Sequence, residues 1–214
     1  VNGENMNSIN SSEQSIKDIR DIMERSATFV SLSGLSGVVS GILALFGVVF
    51  LWSIFGSLFV TEEMLNRMLL IEGNKNIIFS TFLFIFIMAI LSSFILTYIK
   101  AKKKKQPVFN SSSKRFAFNL FVPILTAVLL IISLIIREQY WLIIPVTLIF
   151  FGLSLISAGR YSRREIIEMG IGCILSGLLS LYFTEFSILL WGIGFGVLNI
   201  VTGISMYYKY DRNK

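Results

Sequence analysis

Residues 77–105 read IIFSTFLFIFIMAILSSFILTYIKAKKKK, and this stretch decides the fold. Its first twenty-three residues carry no charge. At about 1.5 Å per residue, a helix of that length crosses a hydrocarbon core about 30 Å thick. The lysines that close it, Lys100 and Lys102 to Lys105, mark the side of the membrane on which it ends. Working outward, five more apolar stretches of spanning length appear, at 29–59, 116–136, 140–158, 166–183 and 186–208. A hydrophobic share of 54% against 15% charged residues lies outside the range of soluble domains. The expected fold is all-α, a polytopic bundle of six transmembrane helices. The very short connections after spans three and five predict three helical hairpins. The spans and their connections (29–208) fill nearly the whole chain, between a tail at 1–28 and a second tail at 209–214.

Basic residues predict the orientation. Sixteen of the nineteen lysines and arginines fall in the two tails and the two even-numbered connections, leaving Arg67, Lys75 and Arg137 for the odd ones. The positive-inside rule then places both termini in the cytoplasm of a cell whose inner membrane holds the chain. The net charge of +6 therefore calls for no nucleic-acid partner. Trp52, Trp141 and Trp191 fall near the outer ends of spans one, four and six. With the tyrosines they predict two interfacial belts. The polar opening, residues 1–10, predicts no cleavable signal peptide.

Absences narrow the chemistry. The chain holds no histidine and a single cysteine, Cys173. A Ser–His triad and a metal cluster built on Cys and His are excluded, and no cofactor or metal is expected. No Asp, Glu, Lys or Arg occupies the centre of a span, which argues against a proton or ion relay.

Several smaller features follow. Residues 11–25 read as a short amphipathic helix with Ser11 and Gln14 as a capping box. Span one, at about 46 Å if it were one helix, must tilt, kink at its glycines or protrude. Met64, Leu65, Met68, Leu69 and Leu70, between Glu62/Glu63 and Glu72, predict an amphipathic turn on the outer membrane surface. Segments 34–46 (GLSGVVSGILALF) and 170–182 (GIGCILSGLLSLY) align without gaps, sharing Gly34/Gly170, Ser40/Ser176 and Gly41/Gly177 among their identities. They suggest a parallel duplication. Pro123 and Pro145 are candidate kinks in spans three and four.

Candidate functional residues are few. Gly37 and Gly41 in span one, Gly172 and Ser176 in span five, and Gly192 and Gly196 in span six form small-residue stripes that let helices approach closely. They serve either packing within the chain or self-association. Asn199, amid span six, Asn119, one turn into span three, and Glu168 are the candidate intramembrane polar contacts. The asparagines are expected to bond between helices, and Glu168 to pair with Arg164 one turn earlier. Lys102, Lys103, Lys104 and Lys105 are the candidate contacts to anionic lipid headgroups.

Residues 23–37 (MERSATFVSLSGLSG), with 194–203 (GFGVLNIVTG) and Tyr208-Lys209-Tyr210, resemble an uncharacterised family of small six-span bacterial integral membrane proteins. That resemblance implies a six-helix fold without an established activity. Relatives often carry histidine where this chain has Asn199, a departure that puts a metal or haem role there in doubt. Residues 170–209 are also similar to one hairpin of the acid-resistance membrane proteins of the HdeD type. The function expected from all this is non-enzymatic: an inner-membrane protein, structural, accessory or self-associating, with a homo-oligomer or a membrane-protein partner. The alternative is a small transporter or channel for a neutral or lipid-like substrate, lined by Asn199 and the glycines of spans one, five and six.

Overall fold

The computed structural model describes residues 33–70, 74–103 and 111–211, so the amphipathic helix expected at 11–25 lies outside the described residues. Every regular element among the described residues is helical. Six helices are long and apolar enough to cross a membrane: Gly34–Phe55, Asn76–Lys100, Ser113–Ile136, Tyr140–Gly159, Arg164–Tyr182 and Thr184–Tyr210. The chain is thus a multi-pass membrane protein with an all-α six-helix bundle. The lysines and arginines of the described residues gather mostly where spans two and four end and spans three and five begin. That side is called the basic end below, and its opposite the far end.

Span one does not kink. It stops at Phe55, where Gly56 takes φ 68° and its N–H donates to the Trp52 carbonyl. A positive φ costs glycine nothing and a side chain about 1 kcal/mol or more, so the sequence itself sets this stop. The surplus apolar residues are used beyond it. Val60 is buried and its N–H donates to the Glu185 carbonyl at 3.1 Å, while Phe59 meets Phe186 edge-on at 5.1 Å. The helix Glu62–Leu70 follows, with the Thr61 hydroxyl accepting from the Met64 N–H. Its Met64, Leu65, Met68 and Leu69 pack on Leu51, Phe55, Ile78 and Ile188. The expected surface turn is therefore a helical cap over spans one, two and six.

The spans follow the spatial order two, one, six, five, four, three. Hairpins one–two and three–four pack as expected. The closest backbone approaches, however, lie elsewhere: between spans one and six and between spans four and five. A methyl group built on Gly34 would stand 2.5 Å from the Gly203 carbonyl and the Tyr207 nitrogen; on Gly41, 2.6 Å from the Gly196 carbonyl. On Gly152 it would stand 2.5 Å from the Gly170 carbonyl, and on Gly177 2.7 Å from Ile149. The two aligned segments therefore do the same job twice. Gly34 and Gly41 seat span six, and Gly170 and Gly177 seat span four.

Span six is irregular. Between the α-helical pieces Ser187–Trp191 and Leu198–Met206, residues Gly192–Val197 take the wider π-helical form, as do Tyr207–Asp211 at the end. Each glycine of the first wide turn receives a neighbour's side chain: Val48 at Gly192, Leu148 at Gly194 and Leu45 at Gly196. Trp191 is buried rather than set in an interfacial belt, meeting Phe82 edge-on at 5.3 Å and Phe195 at 5.1 Å. Its place along the span suggested an anchor, but side chains of spans one, two and four enclose it. The prolines break nothing: Pro145 lies in the first turn of Ile143–Gly159, where its missing N–H has no partner to lose, and Pro123 sits within the continuous helix Ser111–Ile136.

Candidate interfacial site at the basic end

The site begins with a carboxylate that the charge pattern did not single out. Glu165 stands in the first turn of span five, and its side chain is only 13% exposed. Span six returns to the same end and delivers two donors onto one oxygen. Lys209 Nζ lies 2.7 Å from Glu165 Oε1, and the Tyr210 hydroxyl donates to it at 3.1 Å. The second oxygen, Oε2, is buried and has no hydrogen-bond partner. A buried carboxylate oxygen left unpaired calls for a donor.

The tyrosine ring serves a further cation. Arg163, immediately before span five, lays its guanidinium carbon 4.1 Å from the Tyr210 ring centroid, and Lys209 Nζ stands 5.2 Å from the same centroid. Both distances suit attraction to the negative face of an aromatic ring. Tyr210 also packs against the apolar cluster of Ile166, Met169 and Met206, joined by Phe116 of span three. Tyr210 of span six thus meets both the apolar cluster and the charged groups at the start of span five. These residues lie more than forty positions apart, which is why the charge pattern did not reveal them. The closing Tyr208-Lys209-Tyr210 was the visible hint.

The residues singled out from sequence are placed as follows. Glu168 pairs with Arg164 at 3.0 Å, and both side chains are more than half exposed, so this is a surface pair. Asn119 does bond between helices: its Oδ1 accepts from the Ser157 hydroxyl of span four at 3.2 Å, and its Nδ2 donates to the Arg115 carbonyl. Asn199 does not bridge. Its Nδ2 donates to the Phe195 carbonyl of its own helix at 2.9 Å, and its β-carbon faces Gly41. A carbonyl four residues back satisfies the amide locally, so no second helix is needed.

The small residues are spent inside the chain. Gly37 faces the Asn199 and Gly203 backbone, Gly172 faces Leu198, and Gly192 and Gly196 hold Val48 and Leu45. Ser176 is buried, and its hydroxyl donates to the Gly172 carbonyl. The five glycines of the stripes each face another span of the same chain. Deeper still, Cys173 Sγ lies 3.6 Å from the Gly194 carbonyl in the wide turn of span six, and the Ser180 hydroxyl donates to that of Ser187 at 2.9 Å. Lys102 is exposed, Lys103 closes the helix of span two, and Lys104 and Lys105 lie outside the described residues.

The chain has no significant match among family models, curated proteins or solved structures. The class defined here is therefore that of the fold, a six-span membrane bundle with a charged cluster at one end.

Proposed function

We propose that this is a non-enzymatic protein of a bacterial inner membrane, acting as an accessory or self-associating component through the outward faces of spans two and three. The supporting observation is how the surfaces are divided. Spans one, four, five and six turn their small-residue faces on one another. Spans two and three hang on that core along one side each and present long rows of bulky side chains, among them Phe84, Phe94, Phe118 and Leu129. The basic end faces the cytoplasm in this reading, because sixteen of nineteen basic residues belong to the tails and connections on that side.

The transport alternative drew chiefly on Asn199, whose amide is satisfied within its own helix and packed against span one. Native mass spectrometry of the protein released from lipid nanodiscs tests the proposal. A discrete oligomer or a co-purified membrane protein is expected. A monomer that retains one defined molecule other than bulk lipid would overturn the reading in favour of transport.

A further inference from the structure

The cluster at the basic end is asymmetric in a way that its own side chains do not resolve. Arg163 has its guanidinium carbon over the Tyr210 ring and no carboxylate partner among the described residues. Glu165 has one oxygen doubly satisfied and the other buried without a donor. Both contact the same Tyr210 side chain, and both sit where span five enters the membrane. A guanidinium offers a planar fork that suits the oxygens of a phosphate. An unpaired carboxylate oxygen suits an ammonium or another strong donor. One class of molecule carries both groups side by side at headgroup depth: a phosphate diester bearing a primary ammonium.

We propose that Arg163, Glu165 and Tyr210 form a binding site for a phosphoethanolamine headgroup, with the phosphate on the Arg163 guanidinium and the ammonium on Glu165 Oε2. Lys209 Nζ holds the other oxygen, Oε1, at 2.7 Å, and its side chain is 61% exposed against 13% for Glu165, so the lysine can give way when a ligand enters beside it. The headgroup's two charges meet opposite charges, and its net neutrality explains why the site need not be a simple basic patch. This inference is independent of what spans two and three bind, since it concerns only the junction of spans five and six.

The test uses the full chain in nanodiscs made from equal parts of phosphatidylethanolamine and phosphatidylcholine with the same acyl chains, read by native mass spectrometry. The trimethylated headgroup of phosphatidylcholine keeps the phosphate but has no N–H to give. The wild type is expected to retain phosphatidylethanolamine about tenfold over phosphatidylcholine, the worth of one charge-assisted hydrogen bond. Arg163→Gln is expected to lose retention of both lipids. Glu165→Gln is expected to bring the two lipids close to parity. Equal retention of the two lipids by the wild type overturns the proposal, and so does full retention by Arg163→Gln. The wild-type comparison decides even where a variant fails to fold. Excess soluble O-phosphoethanolamine separates the two sources of this chemistry. Stripping of the bound lipid assigns the site to the headgroup alone, and persistence of the lipid assigns it to the whole molecule.

Discussion

Over the most apolar eighteen-residue stretch of each span, 39% of residues are buried in spans four, five and six, 6% in span three and none in span two, although spans two and three are at least as hydrophobic as the others. Apolarity therefore says nothing about which helix is central. In lipid there is no hydrophobic drive to separate inside from outside, and side-chain size takes over that role. The central helices carry glycine and serine at the contact points, so their backbones meet. Spans two and three carry phenylalanine, leucine and isoleucine, which fill space against acyl chains equally well. Substitutions that exchange those properties are the sharpest tests of the contrast.

The largest effect belongs to Gly34→Leu. Its new side chain would begin 2.5 Å from the backbone of Gly203 and Tyr207, atoms that cannot turn aside as a side-chain tip can. A loss of at least about 3 kcal/mol is expected, seen as a collapse of the folded fraction in a denaturant titration in mixed micelles. A variant as stable as the wild type would show that spans one and six do not meet through this face. Leu148→Ala comes next. Leu148 is fully buried and fills the notch at Gly194, so about 2–5 kcal/mol should be lost by the same titration. A loss below about 1 kcal/mol would place span four at the periphery with span three.

The charged latch and the two asparagines sharpen the contrast at lower energies. Glu165→Ala removes the ion pair that joins spans five and six and should cost about 1 kcal/mol, with Lys209→Met costing less because that side chain is mostly exposed. Equal costs for the two would mean that the carboxylate is as solvated as the lysine. Asn119→Ala should cost about 0.6 kcal/mol through its bond to Ser157, and Asn199→Ala less, since that amide is bonded only to its own helix. The reverse order in a thermal melt would restore Asn199 as the interhelical contact.

The spans were legible because hydrocarbon thickness dictates their length, and the aligned glycine segments were legible because backbone contact demands glycine. The stop at Gly56 was hidden by the apolar residues beyond it, which a hydropathy window joins to the span. The role of Trp191 was hidden because position along a span does not reveal whether a side chain faces the neighbouring helices or the headgroups. The spatial order of helices was hidden for the reason the central and peripheral spans differ at all: short loops name the sequence neighbour, while one of the two closest backbone approaches joins spans one and six, the most distant pair in the chain. Glu165 escaped notice for the same reason, since its donors arrive from 44 and 45 residues away.

The smallest effect on stability is expected from Phe84→Ala combined with Phe94→Ala on span two. These side chains are 62% and 56% exposed, so removing them exchanges one contact with acyl chains for another. The melt should move by no more than about 0.5 kcal/mol. A shift of about 2 kcal/mol or more would mean that this face is packed within the chain, and the division between central and peripheral spans would fail. Assembly is the separate readout. Under the proposed function the oligomer in native mass spectrometry should give way to monomer while the melt stays in place. An oligomer that survives both substitutions would remove span two as its interface, leaving span three, probed by Phe118→Ala, to carry the association.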